Sequence, residues 1–481
     1  MLKKALIIAL SLSSFISFSQ EVVNYTSVAL KKNRDVFQIV NNDKKETTLF
    51  ISDKQKVKAV LLNAKMQIID SISSERPDKN KYDDMIGYNT NAANTRLYWS
   101  SSDHKQIFSQ LYDFNSRKVI ISQYTLPLKN EKYLQSFSSK DKFYLLTVFK
   151  ESNILNLHIF DQNGKYEAKT VDLNNFHFFK GYYTKTNLYG VFEENLPFFE
   201  PSFSLQNIRI ENPTSIADGA KKRKCYFKEN ELIITLDSNI DYTQMLIIDL
   251  KKFVASEKII NKPTIPIVYR SSLNSNSFYF DNKLYQIKSS SDSFFFTIKD
   301  LDGNTIKEYH VTPDTAIVFK NSEIYQEGGS FGGKRILENS SQFIRKINNL
   351  YSGISCYHIG ENTLITLGSV SEIKQSGPQV ALSAFGLVGA AAAIAITYYN
   401  PTMESFNSYS NRKVVKIECL FDQDNNHVEK ELKPLAFDKI RTFFDDNTDV
   451  SSQTLFKMDA NYYLGYYDNK AKEYVIRKFA D

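Results

Sequence analysis

The sequence predicts an all-β fold, and three observations support this prediction. The 481 residues include 35 Phe and 29 Tyr but only 17 Gly and 11 Pro. Short aromatic and β-branched runs alternate with Asn-, Asp-, Ser- and Gly-rich turns, which is the pattern of strands joined by tight connections. Helical periodicity is rare outside one apolar segment near the C-terminus. We therefore expect helix to be confined mainly to that segment.

The clearest strand unit lies between residues 142 and 171. Phe143–Phe149 and Ile154–Phe160 are predicted strands with a short polar turn between them. A second turn ends at Gly164, which can adopt a positive φ, and a third strand is expected from Lys165 onward.

The end of this unit, a hydrophobic strand followed by a polar turn, recurs along the chain. Successive turns are separated by 50, 48, 88, 51, 122 and 46 residues, and the gap of 88 has room for one degenerate copy. A period near 50 residues is typical of β-propeller blades, so we predict a propeller of about seven or eight blades. A pair of β-sandwiches is the alternative. The turns begin at Asn63, Asp113, Asp161, Asp249, Asp300, Asp422 and Asp468.

The N-terminus has the pattern of an export signal. Lys3 and Lys4 precede the uncharged stretch Ala5–Phe18, and Ser17 and Ser19 suit the pocket of a signal peptidase. We predict a signal peptide over residues 1–19 and a propeller-like domain over 20–481, with an insertion at 372–411. The expected location is the periplasm or cell envelope, with membrane association possible through the insertion.

Several segments resemble exported β-propeller-like proteins of Bacteroidota. Arg96–Ser102 (RLYWSSS) and Asp141–Thr147 (DKFYLLT) carry most of this resemblance, together with the Asn-, Lys-, Phe- and Tyr-rich composition. The resemblance spans much of the chain and implies no activity. The C-terminal sorting module of some secreted Bacteroidota proteins is not recognisable in Tyr474–Asp481, so retention in the envelope is expected.

Composition excludes several classes of function. The 60 Lys and Arg residues against 54 Asp and Glu give a dispersed formal charge of +6, which does not indicate a nucleic-acid partner. Three Cys and six His do not form a disulfide scaffold or a zinc module. Cys356 and Cys419 could pair only if their strands are neighbours in one blade.

Known catalytic and metal-binding motifs fit poorly. Gly328–Lys334 is close to a phosphate-binding loop, but Arg335 stands where a hydroxyl is needed, so a flexible loop is expected. The acidic clusters Asp422–Asn426 and Asp445–Asp449 lack the Gly and Glu of a calcium loop and are predicted to be turns. We predict no catalytic residue, no cofactor and no metal, and we favour a protein that is not an enzyme.

Two further segments have both a structural and a functional interpretation. The basic run Lys221–Lys224 could bind an anionic partner, but a solvated loop is favoured. The aromatic segment Phe176–Phe203 could stack on sugars, although packing in the core of a degenerate blade is favoured.

The insertion breaks the strand pattern. No charged residue lies between Gln375 and Met403, and the Ala- and Gly-rich stretch Val380–Tyr399 favours helix. It is long enough to span a membrane. However, Leu364–Leu367 and Val414–Ile417 look like neighbouring strands of one blade, which a single crossing would separate. Docking on a partner or membrane surface, spanning and burial all remain open. The expected contact residues are Phe385, Gly386, Leu387, Val388, Gly389, Ile394 and Ile396.

These features predict a non-enzymatic envelope protein that acts as a binding or assembly module. Residues 375–403 would attach it to an envelope protein or to the membrane. The alternative is a glycan-binding or glycan-active exported protein that uses the propeller channel, an analogy at the level of the fold. A third possibility is an integral inner-membrane protein anchored by the insertion.

Overall fold

A computed structural model describes residues 20–26, 35–53, 55–91, 94–198, 200–266, 272–328, 333–371, 400–410 and 414–481. Within these ranges the chain forms seven sheets of four or five strands and one two-stranded sheet. Almost all strand pairs are antiparallel. The predicted strand-rich, propeller-like fold is therefore confirmed.

The first strand, β1 (Gln20–Thr26), belongs to the last sheet, and the next twelve strands form three sheets in chain order. Sheet 1 contains β2 (Asp35–Asn41), β3 (Glu46–Ser52), β4 (Lys56–Leu62) and β5 (Ile68–Glu75). Sheet 2 contains β6 (Asp84–Thr90), β7 (Asn94–Ser100), β8 (Gln106–Asp113) and β9 (Lys118–Thr125). Sheet 3 contains β10 (Glu131–Ser138), β11 (Lys142–Phe149), β12 (Ile154–Asp161) and β13 (Tyr166–Asp172), which are the strands predicted from the clearest unit.

The next two large sheets follow a longer connection that contains the two-stranded sheet of β14 (Phe178–Lys180) and β15 (Thr184–Thr186). Sheet 4 contains β16 (Gln206–Ile208), β17 (Arg223–Lys228), β18 (Glu231–Leu236), β19 (Tyr242–Asp249) and β20 (Val254–Asn261), with β16 parallel to β17. Sheet 5 contains β21 (Asn274–Phe280), β22 (Lys283–Ser289), β23 (Phe294–Asp300) and β24 (Thr305–Val311).

The last two sheets depart from simple chain order. Sheet 6 contains β25 (Ile324–Glu327), β26 (Lys334–Leu337), β27 (Tyr351–Ile359), β28 (Asn362–Val370) and β29 (Val414–Phe421), in the spatial order β26-β25-β29-β28-β27. Sheet 7 contains β30 (Val450–Met458), β31 (Asn461–Asp468) and β32 (Glu473–Ala480), and β1 pairs with β32 at its edge.

Within the described ranges, five α-helices interrupt this pattern. They are α1 (Leu188–Glu193), α2 (Ile216–Gly219), α3 (Ser340–Asn349), α4 (Pro401–Ser410) and α5 (Ala436–Asp446). A 3-10 turn covers Gly181–Tyr183. Four of these described helices lie outside the predicted insertion, so helix is not confined to that segment, whose residues 372–399 lie outside the described residues.

The predicted turns match the sheets one to one. Four of them, at Asn63, Asp113, Asp161 and Asp300, join the third and fourth strands of a sheet. The turn at Asp249 joins the last two of the five strands of sheet 4, and the turn at Asp468 joins β31 to β32. The turn at Asp422 follows β29, the third strand from the inner edge of sheet 6. The gap of 88 residues holds the connection with α1, α2 and the two-stranded sheet, and not the degenerate copy for which it has room. The last strands of these sheets are the most exposed, as Ile69, Ile121 and Val254 illustrate.

The sheets contact one another in chain order, and the last contacts the first. Gln38 Nε2 in sheet 1 donates to the carbonyl of Leu455 in sheet 7 over 2.8 Å. Sheets 6 and 7 meet where the Tyr357 hydroxyl donates to Asp481 over 2.5 Å. The contacts between the intervening sheets include Ser74–Tyr112, Tyr98–Phe143, Phe137–Phe227, Tyr226–Phe278 and Asn276–Ser352.

Candidate functional site at the base of the insertion

The insertion leaves sheet 6 and returns to it at one point. Strands β28 and β29 pair antiparallel, and Val370 at the end of β28 lies opposite Val414 at the start of β29. The prediction that the flanking segments are neighbouring strands of one sheet is confirmed. Residues 371–413 therefore begin and end side by side.

The predicted contact residues of the insertion fall within 372–399, outside the described residues. The same is true of the predicted signal peptide at residues 1–19. These assignments stay predictions, and the structure describes only the surroundings from which the insertion departs. The contact residues concerned are Phe385, Gly386, Leu387, Val388, Gly389, Ile394 and Ile396.

An apolar cluster, which we call the insertion base, surrounds the paired ends. Phe198 stacks on Tyr351 with 5.0 Å between the ring centroids. The cluster draws on the connection before sheet 4 as well as on sheet 6 itself. Its members are Phe198, Ile216, Ala220, Val370 and Val414, with Tyr351 packed against them.

Helix α2 lies directly on β27 because glycines occupy both sides of the contact. A Cβ atom at Gly219 would lie 2.1 Å from the carbonyl oxygen of Ile354, and one at Gly353 would lie 2.7 Å from that of Ile216. Neither distance is compatible with a side chain unless the backbone moves. The two glycines therefore permit a backbone-to-backbone contact beside the insertion base.

Helix α4 follows the undescribed part of the insertion and is built into the core. Met403 and Phe406 are buried, and the ring of Phe406 lies edge-on to Phe437 of α5 at 5.4 Å. Before the helix, Asn400 Nδ2 donates to the hydroxyl of Thr454 in β30 over 2.9 Å. The C-terminal part of the predicted 372–411 insertion is thus a packed element.

Helices α2 and α4 meet through polar groups. The hydroxyls of Ser215 and Ser408 are 2.6 Å apart. Burial raises the pKa of Asp218, and desolvation likewise raises the pKa of Glu404, although the positive charge of Arg209 opposes the latter shift. Two carboxyl groups with raised pKa values therefore border the contact between these helices.

A small cavity adjoins the insertion base. Its volume is about 30 Å³, enough for one or two water molecules and too small for a sugar ring. It is lined by Thr214, Ser215, Ile216, Ala217, Thr366, Tyr409, Val414 and Lys416.

The basic run Lys221–Lys224 is not the solvated loop that the sequence favours. The side chains of Arg223 and Lys224 have no solvent exposure. The guanidinium of Arg223 donates to main-chain carbonyls and so holds the connection before sheet 4 in place. One guanidinium group carries several N–H donors, which suits such a set of acceptors. Those carbonyls belong to Val191, Phe192, Glu194, Glu200 and Pro201.

Three lysines surround one buried carboxylate in the same region. Lys224 and Lys262 each place Nζ 3.1 Å from a different oxygen of Asp237. Burial alone would raise the pKa of this carboxyl, but Lys262 and Lys224 outweigh it and the pKa is lowered. Lys222 lies beside them. These residues are far apart in sequence, and only the basic run gave a signal that could have pointed to them.

The aromatic segment Phe176–Phe203 packs in the core, as the favoured interpretation predicts. Phe178 and Phe192 are buried in the cluster between sheets 3 and 4. The segment contains α1 and the two-stranded sheet instead of a degenerate blade. Tyr183 is exposed and donates its hydroxyl proton to Asp241 over 3.0 Å.

The acidic clusters and the glycine-rich segment are local structures. Asp422 accepts the N–H of Asn426 over 2.7 Å, so the first acidic cluster is the predicted turn. The second begins in the last turn of α5, and the prediction that it is only a turn is wrong in that part. Gly328 and Gly333 have positive φ values and connect β25 to β26, and residues 329–332 between them are not described.

The three cysteines are buried and free. Cys356 on β27 and Cys419 on β29 both lie opposite Ile365 of β28. Because an entire strand separates the two thiols, they do not form a disulfide. Burial raises the pKa of both cysteines, which makes them poor nucleophiles.

Among the residues that the structure describes, no group of three or more His, Cys, Asp and Glu side chains is arranged to hold a metal ion. His158 is buried and fully engaged, with Nε2 2.8 Å from Glu131 and Nδ1 2.9 Å from the Tyr166 hydroxyl. Over the same ranges, no helix has both the length and the apolar character needed to cross a membrane.

Comparisons with known proteins give only distant likenesses. No protein-family model matches the chain, and no curated protein does. Among solved structures, a variant of the Synechocystis apocarotenoid oxygenase is 8% identical with a TM-score of 0.29, covering 59% of this chain and 62% of that one. The chain thus spans about three fifths of that oxygenase.

Two other solved structures are covered almost completely. Kluyveromyces lactis Hsv2 is 9% identical with a TM-score of 0.29, covering 92% of this chain and 99% of that one. Mala s 1, the major allergen of Malassezia sympodialis, is 8% identical with a TM-score of 0.28, covering 86% and 99%.

Proposed function

We propose that the chain is a seven-bladed β-propeller of the cell envelope that acts as a non-enzymatic binding or assembly module. Residues 375–403 would attach it to an envelope protein or to the membrane surface. The observation that carries this proposal is the pairing of Val370 with Val414, which brings both ends of the insertion to one point.

The paired ends limit how the insertion can attach. A segment that leaves and returns at the same place crosses a bilayer twice or not at all. The stretch Val380–Tyr399 has 20 residues, which suffice for one helical crossing but not for two. Docking on a partner or on the membrane surface is therefore favoured over spanning.

The surroundings of the paired ends suit a rigid platform. The buried Phe406 ties α4 to α5, and the close contact of Gly219 with β27 fixes α2. A binding segment held on rigid elements loses less conformational entropy when it binds. An uncharged apolar segment of this length should also be buried against another surface, because soluble proteins rarely expose such a surface to solvent.

The proposal is tested by a deletion that spares α4. Residues 375–397 are replaced by a Gly/Ser linker of about eight residues, which spans roughly 15 Å as a random coil. We expect the variant to unfold at the wild-type urea midpoint and to be lost from the envelope fraction and from affinity-purified complexes. A deletion that extends through Ser410 also removes buried Met403 and Phe406, so we expect it to be less stable.

A point variant separates the two modes of attachment. Replacing Gly386 and Gly389 by Leu should weaken a close helix contact with a protein partner, while leaving partitioning to lipid unchanged or stronger. The proposal is wrong if the short deletion folds and still associates as the wild type does. Unfolding of the short deletion would contradict it as well, because the segment would then belong to the core.

A further inference from the structure

The lysine cluster beside sheet 4 has more positive charge than its carboxylate can neutralise. Lys222 immediately precedes β17 and Lys224 is the second residue of that strand, Lys262 follows β20, and Asp237 follows β18. Asp237 has no solvent exposure, and both of its oxygens are already paired, one with Lys224 and one with Lys262. A third ammonium group in this place therefore has no counter-ion of its own.

Lys222 is the least buried of the three lysines. Lys224 and Lys262 are fully buried, whereas Lys222 is partly exposed. Its Nζ donates to the main-chain carbonyl of Ser275 in sheet 5. Among the described residues, no carboxylate oxygen lies within 4.0 Å of this nitrogen.

The other charges near Lys222 are already engaged. Glu200 accepts the main-chain N–H groups of Lys222 and Arg223 at 2.7 and 3.0 Å, and its carboxylate lies 3.8 Å from the Arg223 guanidinium. Further out, Lys288 pairs with Asp241 at 3.0 Å.

Two unfavourable effects on the protonated form of Lys222 disappear when it loses its proton. Burial disfavours the ammonium form, and the charges of Lys262 and Lys224 repel it, while Asp237 and Glu200 only partly compensate. Together these effects lower the pKa of Lys222 to about 7. At neutral pH a large fraction of this side chain is then a free amine, which is how enzymes activate a lysine as a nucleophile.

We propose that Lys222 is a nucleophilic amine that captures aldehydes carrying an anionic group. The Nζ lone pair attacks the carbonyl carbon, the C=O bond breaks, and the oxygen leaves as water when the C=N bond of the imine forms. No oxidant or reductant is needed. After Lys222 loses its proton, Lys224, Lys262 and Asp237 retain one positive charge in excess, which attracts the anionic part of the aldehyde.

Pyridoxal 5′-phosphate is a suitable probe because it joins an aldehyde to a phosphate. The full-length mature protein is treated with it for short times at several pH values, the imines are reduced with borohydride, and the labelled lysines are quantified by peptide mass spectrometry. The exposed Lys251 serves as an internal reference in the same digest. We expect Lys222 to be labelled at least about tenfold faster than Lys251 at pH 7.5, with a rate midpoint near pH 7.

Two controls define the site and the ligand class. Lys222→Arg places a permanent positive charge at this position and cannot form an imine, so it should lose this adduct and keep the labelling of Lys251. Pyridoxal without phosphate should react with Lys222 several-fold more slowly than the phosphate ester.

Labelling of Lys222 no faster than that of Lys251, or a midpoint near 10.5, would overturn the proposal from the wild-type protein alone. Equal rates with and without phosphate would overturn the assignment to anionic aldehydes.

Discussion

At the scale of single residues, Gly219 and Gly353 determine how close α2 comes to sheet 6. In both cases, the nearest atom to an added Cβ belongs to a main-chain carbonyl, not to a flexible side chain. A side-chain clash can relax by rotation, but this one requires α2 or β27 to move. The contact therefore depends on the absence of any side chain.

We expect Gly219→Ala and Gly353→Ala each to lower the free energy of unfolding by about 1–3 kcal/mol, the usual cost of overpacking. Urea unfolding followed by fluorescence measures the change. Gly181→Ala is the matched control, because no atom lies within 4 Å of its added Cβ and it should have little effect. Wild-type stability in both test variants would show that α2 is free to shift away from β27.

Single residues also show which features of the structure could be predicted from the sequence. The turn carboxylates could be found because each acts on main-chain groups only two to four residues away. The lysine cluster could not be found in this way, since Lys222, Asp237 and Lys262 meet only after the four strands β17 to β20 of sheet 4 have paired. For the same reason, the positions of Cys356 and Cys419 on either side of Ile365 depend on strand order, which spacing does not reveal.

At the scale of elements, the repeated turn is the unit that recurs in every large sheet. Its first residue accepts main-chain N–H groups, as Asp300 does from Asp302 and Asn304 at 2.9 and 2.8 Å. Asn63 makes the same kind of turn with a neutral amide, accepting from Lys65 and Gln67. The geometry therefore requires the side-chain oxygen and not its charge.

These turns predict part of the acid sensitivity of the protein. Hydrogen bonds lower the pKa of four turn carboxyls below the ordinary 3.8: Asp113, Asp249, Asp300 and Asp422. The folded chain then binds fewer protons than the unfolded chain at low pH. The contribution of these carboxyls to the stability of the fold is therefore present above about pH 4 and is lost as the pH falls further.

Changing all four residues to Asn should lower stability at pH 7, because the neutral amide lacks the extra contribution of the ionised carboxylate, and should reduce the loss of stability between pH 5 and pH 3. Urea midpoints across this pH range measure both effects. Changing the same four to Ala removes the acceptor and should destabilise the protein at every pH. If the Asn variant has the same acid dependence as the wild type, other carboxylates dominate it.

The helices outside the insertion had signals in the sequence that the strand-rich background concealed. In α3, Phe343, Ile344 and Ile347 have helical spacing, and Asn339 caps the N-terminus by accepting from Gln342 over 3.1 Å. In α5, Phe437, Ile440 and Phe443 have the same spacing. The short helices α1 and α2 have no such periodicity. Tertiary contacts stabilise them, so they do not need a periodic apolar face.

At the scale of the whole molecule, the order of the sheets could be predicted from the sequence. The places of two strands, β25 in sheet 6 and β1 in sheet 7, could not. Repeated hairpins are local in sequence, so the strand count per repeat follows from turn spacing. In sheet 6, however, the fourth place is taken by β25, which pairs with β29 across Tyr325 and Lys416 and comes earlier in the chain. The pairing of β1 with β32 likewise joins the two ends of the described chain.

That pairing closes the last sheet and predicts how the molecule responds to truncation. Val22 and Val23 pack against the clusters on the two faces of sheet 7, and Asn24 Nδ2 donates to the carbonyl of Met66 in sheet 1. Without β1, strand β32 would present an open edge, which favours aggregation.

A chain that begins at Ser27 should therefore be less stable than one that begins at Gln20. The loss is roughly 2–4 kcal/mol, from two partly buried valines and the ladder hydrogen bonds after the entropy of seven ordered residues is subtracted. Thermal unfolding and light scattering measure the stability and the aggregation. A synthetic peptide of residues 20–26 added in excess should restore part of the loss, whereas a scrambled peptide should not. Equal unfolding temperatures for the two chains would show that β1 is not needed for closure, and that contacts such as Gln38 with Leu455 hold sheets 7 and 1 together without it.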